Sequence, residues 1–196
     1  MKEAFEGQSL READAGTSLP EARVLRLIEK GVMALSSGPA GPAAYLIARG
    51  DIDGLAGAFG GAHLHASVIQ AASWRELAVE EISGALWQEL LVEAATDNAQ
   101  RIIRITDELT CALRHRLDAR LARWLVNMQA CQGGEPTIRI DQFLLARLLG
   151  VRRTTVNLES QRLRQLGAIQ SIRGRIKIKD GGLLKTLSCG CGTAEP

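Results

Sequence analysis

The sequence predicts an α+β protein: a small antiparallel β domain, a long helical region and a C-terminal winged helix-turn-helix. Three observations lead to that class. Between Ala22 and Ile82, short apolar runs are separated by glycine, which suits strands joined by tight turns better than helices. From Ala85 to Gln132 neither Gly nor Pro interrupts the chain, and its apolar residues recur at helical spacing. Beyond Asp141, two short apolar segments meet at Gly150 and are followed by alternating isoleucines among basic residues.

The chain has 196 residues, enough for one or two domains with a buried core. With 46% hydrophobic and 23% charged residues it reads as globular and soluble. No apolar run approaches the roughly 20 residues that span a bilayer, and the acidic opening MKEAFEGQSLREADAG lacks the apolar stretch of a signal peptide. Four cysteines do not suggest a disulfide framework here, because a reducing cytosol keeps thiols free. The expectation is a cytoplasmic protein with no membrane partner.

Taken in order, residues 1–20 are polar, contain Gly7, Gly16 and Pro20, and are expected to form a flexible arm. Residues 21–89 form the β domain. Within it VLRLIEKGVMAL reads as strand, turn and strand, SSGPAGP as an exposed loop, and AAYLIARGDIDGLAGAFGG with AHLHASVIQAASWREL as further short strands. Residues 90–116 are expected to be a helix. Trp87, Leu90 and Leu91 open it, and Ala95, Ile102, Ile105, Leu109 and Ala112 recur at gaps of three, four and seven. A break around His115 to Asp118 would divide the glycine-free stretch into two helices. The apolar seam suits a parallel contact with a second copy of the chain, or packing against its own β domain, and the pattern leaves both open.

Residues 117–196 carry the sharpest local signals. Asp141 stands as an N-cap before Phe143, Leu144 and Leu145, and Gly150 ends that helix after about two turns. A second helix is expected from about Arg152 to Leu166, stopped by Gly167. Ala146 is small enough to let the two helices approach, Gly150 permits a positive φ, and Val156 and Leu163 face the core. Two short helices around such a turn make a helix-turn-helix. In AIQSIRGRIKIKD, the residues Ile169, Ile172, Ile176 and Ile178 alternate around Arg173-Gly174-Arg175, which reads as a hairpin with a basic tip. A helix-turn-helix followed by a basic hairpin is a winged helix.

Charge agrees with this reading. Residues 1–100 hold seven Lys/Arg against fourteen Asp/Glu, whereas residues 101–196 hold seventeen against eight. Eleven of the basic residues lie between Arg139 and Lys185, where only Asp141, Glu159 and Asp180 oppose them. A local excess of this size suits a polyanion, because each neutralised phosphate releases condensed counterions, although a solvated basic face has the same composition. Arg152, Arg153, Thr154, Asn157, Gln161 and Arg164 lie on the outward arc of the second helix, opposite Val156 and Leu163. Arginine can donate twice to guanine, and Asn or Gln can pair with adenine, in the major groove. Arg153 is the candidate base reader, Arg152 a candidate phosphate contact, and Arg173 and Arg175 candidate phosphate contacts from the wing.

At these residues the chain resembles a known family. The strings CALRHRLDARLARWL and DQFLLARLLGVRRTTVNLESQRLRQLGAIQSIRGRIKIKD are similar to the hinge and winged-helix regions of the Crp/Fnr transcription regulators, closely over about Cys111 to Leu184 and thinly before it. The resemblance implies that residues 21–89 are a reduced cyclic-nucleotide-binding-like β-roll. It also implies that the helix from about Leu90 is a dimerisation helix, and that a homodimer binds a palindromic site on double-stranded DNA. RNA polymerase is a further candidate partner on this reading. Arg153 matches a position where many members place a base-reading arginine. Thr154 and Leu158 stand where the cyclic-AMP receptor protein has an acidic and a basic reader, so its target sequence does not transfer. Glu159 replaces a small apolar residue of the relatives, and the sequence supplies no reason for it.

Several family features are missing. The Gly-Glu pair that holds ribose corresponds to Gly50-Asp51, and the Arg that holds the cyclic phosphate corresponds to Leu64-His65-Ala66-Ser67, which has no arginine. Cyclic AMP would lose its charge-assisted partner. No cysteine precedes Cys111, which excludes the N-terminal cluster ligands of the oxygen-sensing members. No cofactor or metal is expected: Cys189 and Cys191 read as free thiols of a frayed tail, Cys111 and His115 as hinge packing, and His63 and His65 as loop histidines, with an effector or metal contact as the alternative. No GxSxG, P-loop, HExxH or Rossmann fingerprint is present, so an enzyme is not expected. The competing reading is a nucleic-acid-binding or dimeric scaffold protein with no effector-sensing role.

Overall fold

The N-terminal residues do not form a loose arm. A 3-10 turn over Lys2–Phe5 buries Phe5 completely, and a strand at Leu10–Ala13 (β1) pairs antiparallel with the long strand His65–Ala78 (β5), Leu10 facing Arg75. The polar sequence that suggested an arm belongs to the edge strand of a sheet, where most side chains remain in solvent. A computed structural model describes residues 2–20, 23–38, 41, 43–61, 64–172 and 174–191. It resolves the chain into two units, Met1–Pro39 with Tyr45–Ile103 and Ala40–Ala44 with Arg104–Pro196.

The first unit is built on a five-stranded sheet. VLRLIEKGVMAL is one continuous strand, Val24–Ser36 (β2), and not two strands around a turn. Gly31 adopts φ +86°, and a Cβ there would lie 2.4 Å from the Ala71 carbonyl oxygen. The glycine therefore allows a close approach and a run of register shifts between Ile28 and Met33, bending the strand without reversing it. Ala43–Ala48 (β3) and Ile52–Asp53 (β4) both flank β2, giving the order β1-β5-β2-β3 with β4 also on β2. A single helical turn, Leu55–Ala58 (α1), follows. Phe5, Leu25, Leu27, Ile52, Leu55, Leu77 and Ile82 form a buried cluster, closed by Leu90 and Ala94 from the long helix Gly84–Arg114 (α2).

A buried ion pair, Arg26 with Asp53, sits inside this sheet. Arg26 on β2 is buried and fully engaged, donating to Asp53 Oδ2 at 3.1 Å, Glu76 Oε1 at 3.2 Å and the Pro20 carbonyl at 2.8 Å. Burial by itself would raise the Glu76 pKa. Hydrogen bonds from Trp74 Nε1 and Arg26, with the charges of Arg26 and Arg11, outweigh it and hold the carboxyl below its ordinary value.

The second unit begins in the last turns of α2 and continues through Leu117–Cys131 (α3), so the helical stretch breaks at His115 and Arg116, as its length predicts. Thr137–Ile138 (β6), Gln142–Leu149 (α4), Arg153–Gln165 (α5), Ile169–Ile172 (β7), Arg175–Ile178 (β8) and Gly181–Leu187 (α6) complete it. The hairpin β7–β8 recruits β6 as a third strand, in the order β6-β8-β7. Leu121, Leu125 and Met128 of α3 are buried with Leu145, Val156, Leu163, Ile176 and Leu184. Ile172 departs from the expected alternation: it is exposed where the hairpin opens, while Ile169, Ile176 and Ile178 are buried.

Candidate nucleic-acid interface

Local chemistry sets the two helices of the interface. The Asp141 carboxylate accepts from Leu144 N at 2.7 Å and caps α4, and Gly150 closes it with φ 67°, ψ 36°, a conformation that favours glycine. Arg120 of α3 donates to the Leu149 carbonyl at 3.0 Å, satisfying an end group of α4. Ala146 is buried, in keeping with the close approach of α4 and α5 that its size permits. On α5 the residues Val156, Ser160 and Leu163 face inward.

Arg152, Arg153, Thr154, Asn157, Gln161 and Arg164 are all exposed on α5 or at its N-cap. Arg152 precedes the helix as its N-cap and Arg153 begins it. Asn157 accepts from Gln142 Nε2 at 3.1 Å, a link to α4 that the sequence did not reveal. Arg175 opens β8 and is exposed together with Lys177 and Lys179. Arg173, expected at the hairpin tip, lies outside the described residues, as does His63.

Glu159 also acquires a role. Its carboxylate accepts from Arg162 at 3.4 Å, and the same Arg162 nitrogen lies 3.3 Å from Asp118 Oδ2 at the start of α3. Arg162 thus bridges Asp118 of α3 and Glu159 of its own helix. In the first unit, Gly50-Asp51 is a turn in which Asp51 Oδ2 accepts from Ala48 N at 2.7 Å. His65 lies in β5 with Nε2 3.3 Å from Ser18 Oγ.

Residues 119–187 match the family model described as the Crp-like helix-turn-helix domain. The C-terminal unit contains a Crp-like helix-turn-helix domain. The whole chain also superposes on solved regulators. A CRP/FNR-family transcriptional regulator of Thermus thermophilus shares 22% identity at TM-score 0.74, over 94% of this chain and 100% of that one. FixK2 of Bradyrhizobium japonicum shares 15% at TM-score 0.74, over 94% and 98%. CLP of Xanthomonas campestris, a regulator described as c-di-GMP-responsive, shares 14% at TM-score 0.72, over 91% and 98%. No curated protein matches the chain in sequence. The fold is therefore like that of the solved CRP/FNR-family regulators, with the Crp-like domain as the part recognised directly from sequence. Among the described residues no helix is long and apolar enough to cross a membrane.

Two further surfaces lie apart from the exposed arc of α5. Along α2 the seam residues Ala95, Ile102, Ile105, Leu109 and Ala112 are exposed, whereas at its start Leu90 is buried in the cluster of the first unit and Trp87 packs against it. The inward positions of the helix are instead Leu90, Ala94, Arg101 and Cys111. At the end of the chain, Cys189 and Cys191 are not remote thiols: with Cys111 their sulfur atoms all lie within 4.8 Å of one another. Burial pushes the Cys111 thiol up to about 12, and its hydrogen bond with Cys189 adds to the rise.

Proposed function

We propose that the protein is a sequence-specific transcription regulator of the cytoplasm, which binds a palindromic DNA site as a homodimer with α5 in the major groove. The observation that carries this reading is the exposed arc of α5, where two arginines at the helix start and Asn157, Gln161 and Arg164 further along oppose the buried Val156, Ser160 and Leu163. In this reading Arg153 reads a base edge, with Thr154, Asn157, Gln161 and Arg164 along the same groove, while Arg152, Arg173 and Arg175 contact phosphates. The exposed α2 seam supports the dimer. It would set two recognition helices about one DNA turn apart, roughly 34 Å, on half-sites related by the dimer axis. Regulation would then follow from contact with RNA polymerase or from occlusion of it.

The β domain would not sense cyclic AMP. The stretch corresponding to the family's phosphate site offers His65, engaged with Ser18, and no arginine. Duplexes recovered from a randomised pool, retested against scrambled controls over a salt series, test the regulator reading: a preferred palindrome with a steep loss of affinity in salt is expected. Binding that ignores sequence would replace it with a general nucleic-acid-binding or scaffold role. Cyclic AMP at millimolar concentration is expected to change neither melting temperature nor DNA affinity, and saturable calorimetric binding would restore the sensor role.

A further inference from the structure

Arg123 draws the end of the chain onto the last turns of α2. Only 4% exposed, it donates from Nη2 to both carboxylate oxygens of Glu108 at 2.6 Å and from Nη1 to the Cys191 carbonyl at 3.5 Å. The guanidinium thus links α2, α3 and the segment after α6. The sulfurs of Cys189 and Cys191 meet the fully buried Cys111 at the point so defined. Cys111 Sγ and Cys189 Sγ are 3.4 Å apart, two thiols in hydrogen-bond contact, and Cys191 Sγ completes a group spanning no more than 4.8 Å. Cys111 is buried at the hinge, as a packing role expects, whereas the frayed tail expected for Cys189 and Cys191 does not describe this arrangement.

We propose that Cys111, Cys189 and Cys191 form a three-thiolate binding site for a soft, thiophilic d10 metal cation, of the class that includes Cu(I) and Zn(II). Sulfurs bound to one ion at about 2.3 Å stand about 3.8–4.0 Å from each other, so the group needs only sub-ångström adjustment to close on a metal. The donor set contains sulfur alone, and thiolate sulfur selects Cu(I) and zinc over the hard cations that prefer carboxylates. Three sulfurs complete a trigonal Cu(I) site, whereas Zn(II) would add a solvent molecule as its fourth ligand. On binding, three S–metal bonds form and each thiol releases its proton to solvent, with no change of oxidation state. Arg123 stays beside the resulting anionic centre.

The test uses the full-length reduced protein, prepared without metal under anaerobic conditions. It is titrated with Cd(II) as the spectroscopic stand-in for Zn(II), and separately with Cu(I) in competition with a chromogenic chelator. One ion per chain, a thiolate-to-metal charge-transfer band and a higher melting temperature are expected with at least one of the two, and the arm that responds identifies the preferred coordination. Cys189→Ser and Cys191→Ser, both beyond the last helix, should each lower affinity at least tenfold, and the double variant should abolish the band. Cys131→Ser should leave it intact. These tail variants keep the test independent of Cys111→Ser, which alters a fully buried position. Failure of both ions to bind stoichiometrically, or a band that survives in the double tail variant, overturns the proposal.

Discussion

Gln142 and Asn157 share a hydrogen bond of 3.1 Å, from the Gln142 amide nitrogen to the Asn157 side-chain oxygen, which ties the first turn of α4 to the exposed face of α5. It engages one of the two lone pairs of the Asn157 side-chain oxygen and fixes the orientation of the amide, whose N–H groups take no part in this bond. An asparagine that reads adenine in bidentate fashion needs both its acceptor and its donor. While held by Gln142, Asn157 has a fixed amide orientation and one oxygen lone pair already engaged, which restricts its turning to present donor and acceptor together to adenine. Gln142→Ala should release it and shift the preference at the facing base pair toward adenine, with a small change in overall affinity. Parallel selections from a randomised duplex pool with the parent and variant proteins measure the shift, and identical preferences would remove Asn157 from base reading.

Arg153 and Arg175 should behave differently when truncated. Arg153→Ala is expected to cost about 1–3 kcal/mol on the preferred site and to relax selectivity at one position, as loss of a bidentate base contact does. Arg175→Ala should weaken binding to preferred and scrambled duplexes alike and reduce the salt slope by about one, as loss of one phosphate contact does. Anisotropy titrations of both variants on both duplexes at several salt concentrations separate the two signatures.

The proposed dimer would depend on α2. Ile105 and Leu109 are 44% and 59% exposed in the single chain, on the face that also carries Ala95, Ile102 and Ala112. Burying such side chains against a second copy is worth roughly 1.5–3 kcal/mol each, whereas a charge placed there would be desolvated in the interface. Leu109→Glu should therefore convert the dimer to monomer at micromolar concentration with little change in the melting of the monomer. Sedimentation of the parent as a monomer under the same conditions, with and without DNA, would dismiss the dimer.

Signals confined to a few residues were legible in the sequence. Asp141 before an apolar run and Gly150 after it marked α4, because a cap and a positive-φ stop act within one turn, and the outward arc of α5 followed from helical period alone. Gly31 misled because a glycine between two apolar runs permits either a turn or a bulge. The choice is made by pairing with Ala71 and Ala72, forty residues away. Phe5 gave no periodic signal, since its burial comes from Leu25, Leu77 and other strand residues closing over it. The meeting of Cys111 with Cys189 across 78 positions, and that of Gln142 with Asn157, are tertiary facts that no local spacing encodes.

The buried Arg26–Asp53 pair makes the β domain sensitive to one substitution. Both side chains are about 6% exposed, and Asp53→Ala would leave the Arg26 charge inside the sheet with Glu76 as its remaining acidic partner. Removing one member of a buried pair costs about 3–5 kcal/mol, because the desolvated charge left behind is no longer balanced. Denaturant titration is expected to give an unfolding free energy lower by that amount, whereas a change within about 0.5 kcal/mol, the range of surface substitutions, would mean that Arg26 finds another partner.

Glu76 gives this network a pH dependence of definite sign. Hydrogen bonds from Trp74 and Arg26 and the charges of Arg26 and Arg11 outweigh the opposing effect of burial, so its carboxyl ionises below the ordinary value in the folded protein. In the unfolded chain it returns to about 4.3. The unfolded state thus binds the proton more readily. The contribution of Glu76 is fully present above about pH 4.3 and is lost as pH falls from there through the folded value. Glu76→Gln removes the titrating group, so the stability difference between parent and variant should be constant near neutrality and should narrow as pH drops below about 5. Urea midpoints for both proteins from pH 7 to pH 3 measure it. A difference that stayed constant to the lowest pH, or widened toward it, would show that Glu76 is not held in its charged form by these neighbours.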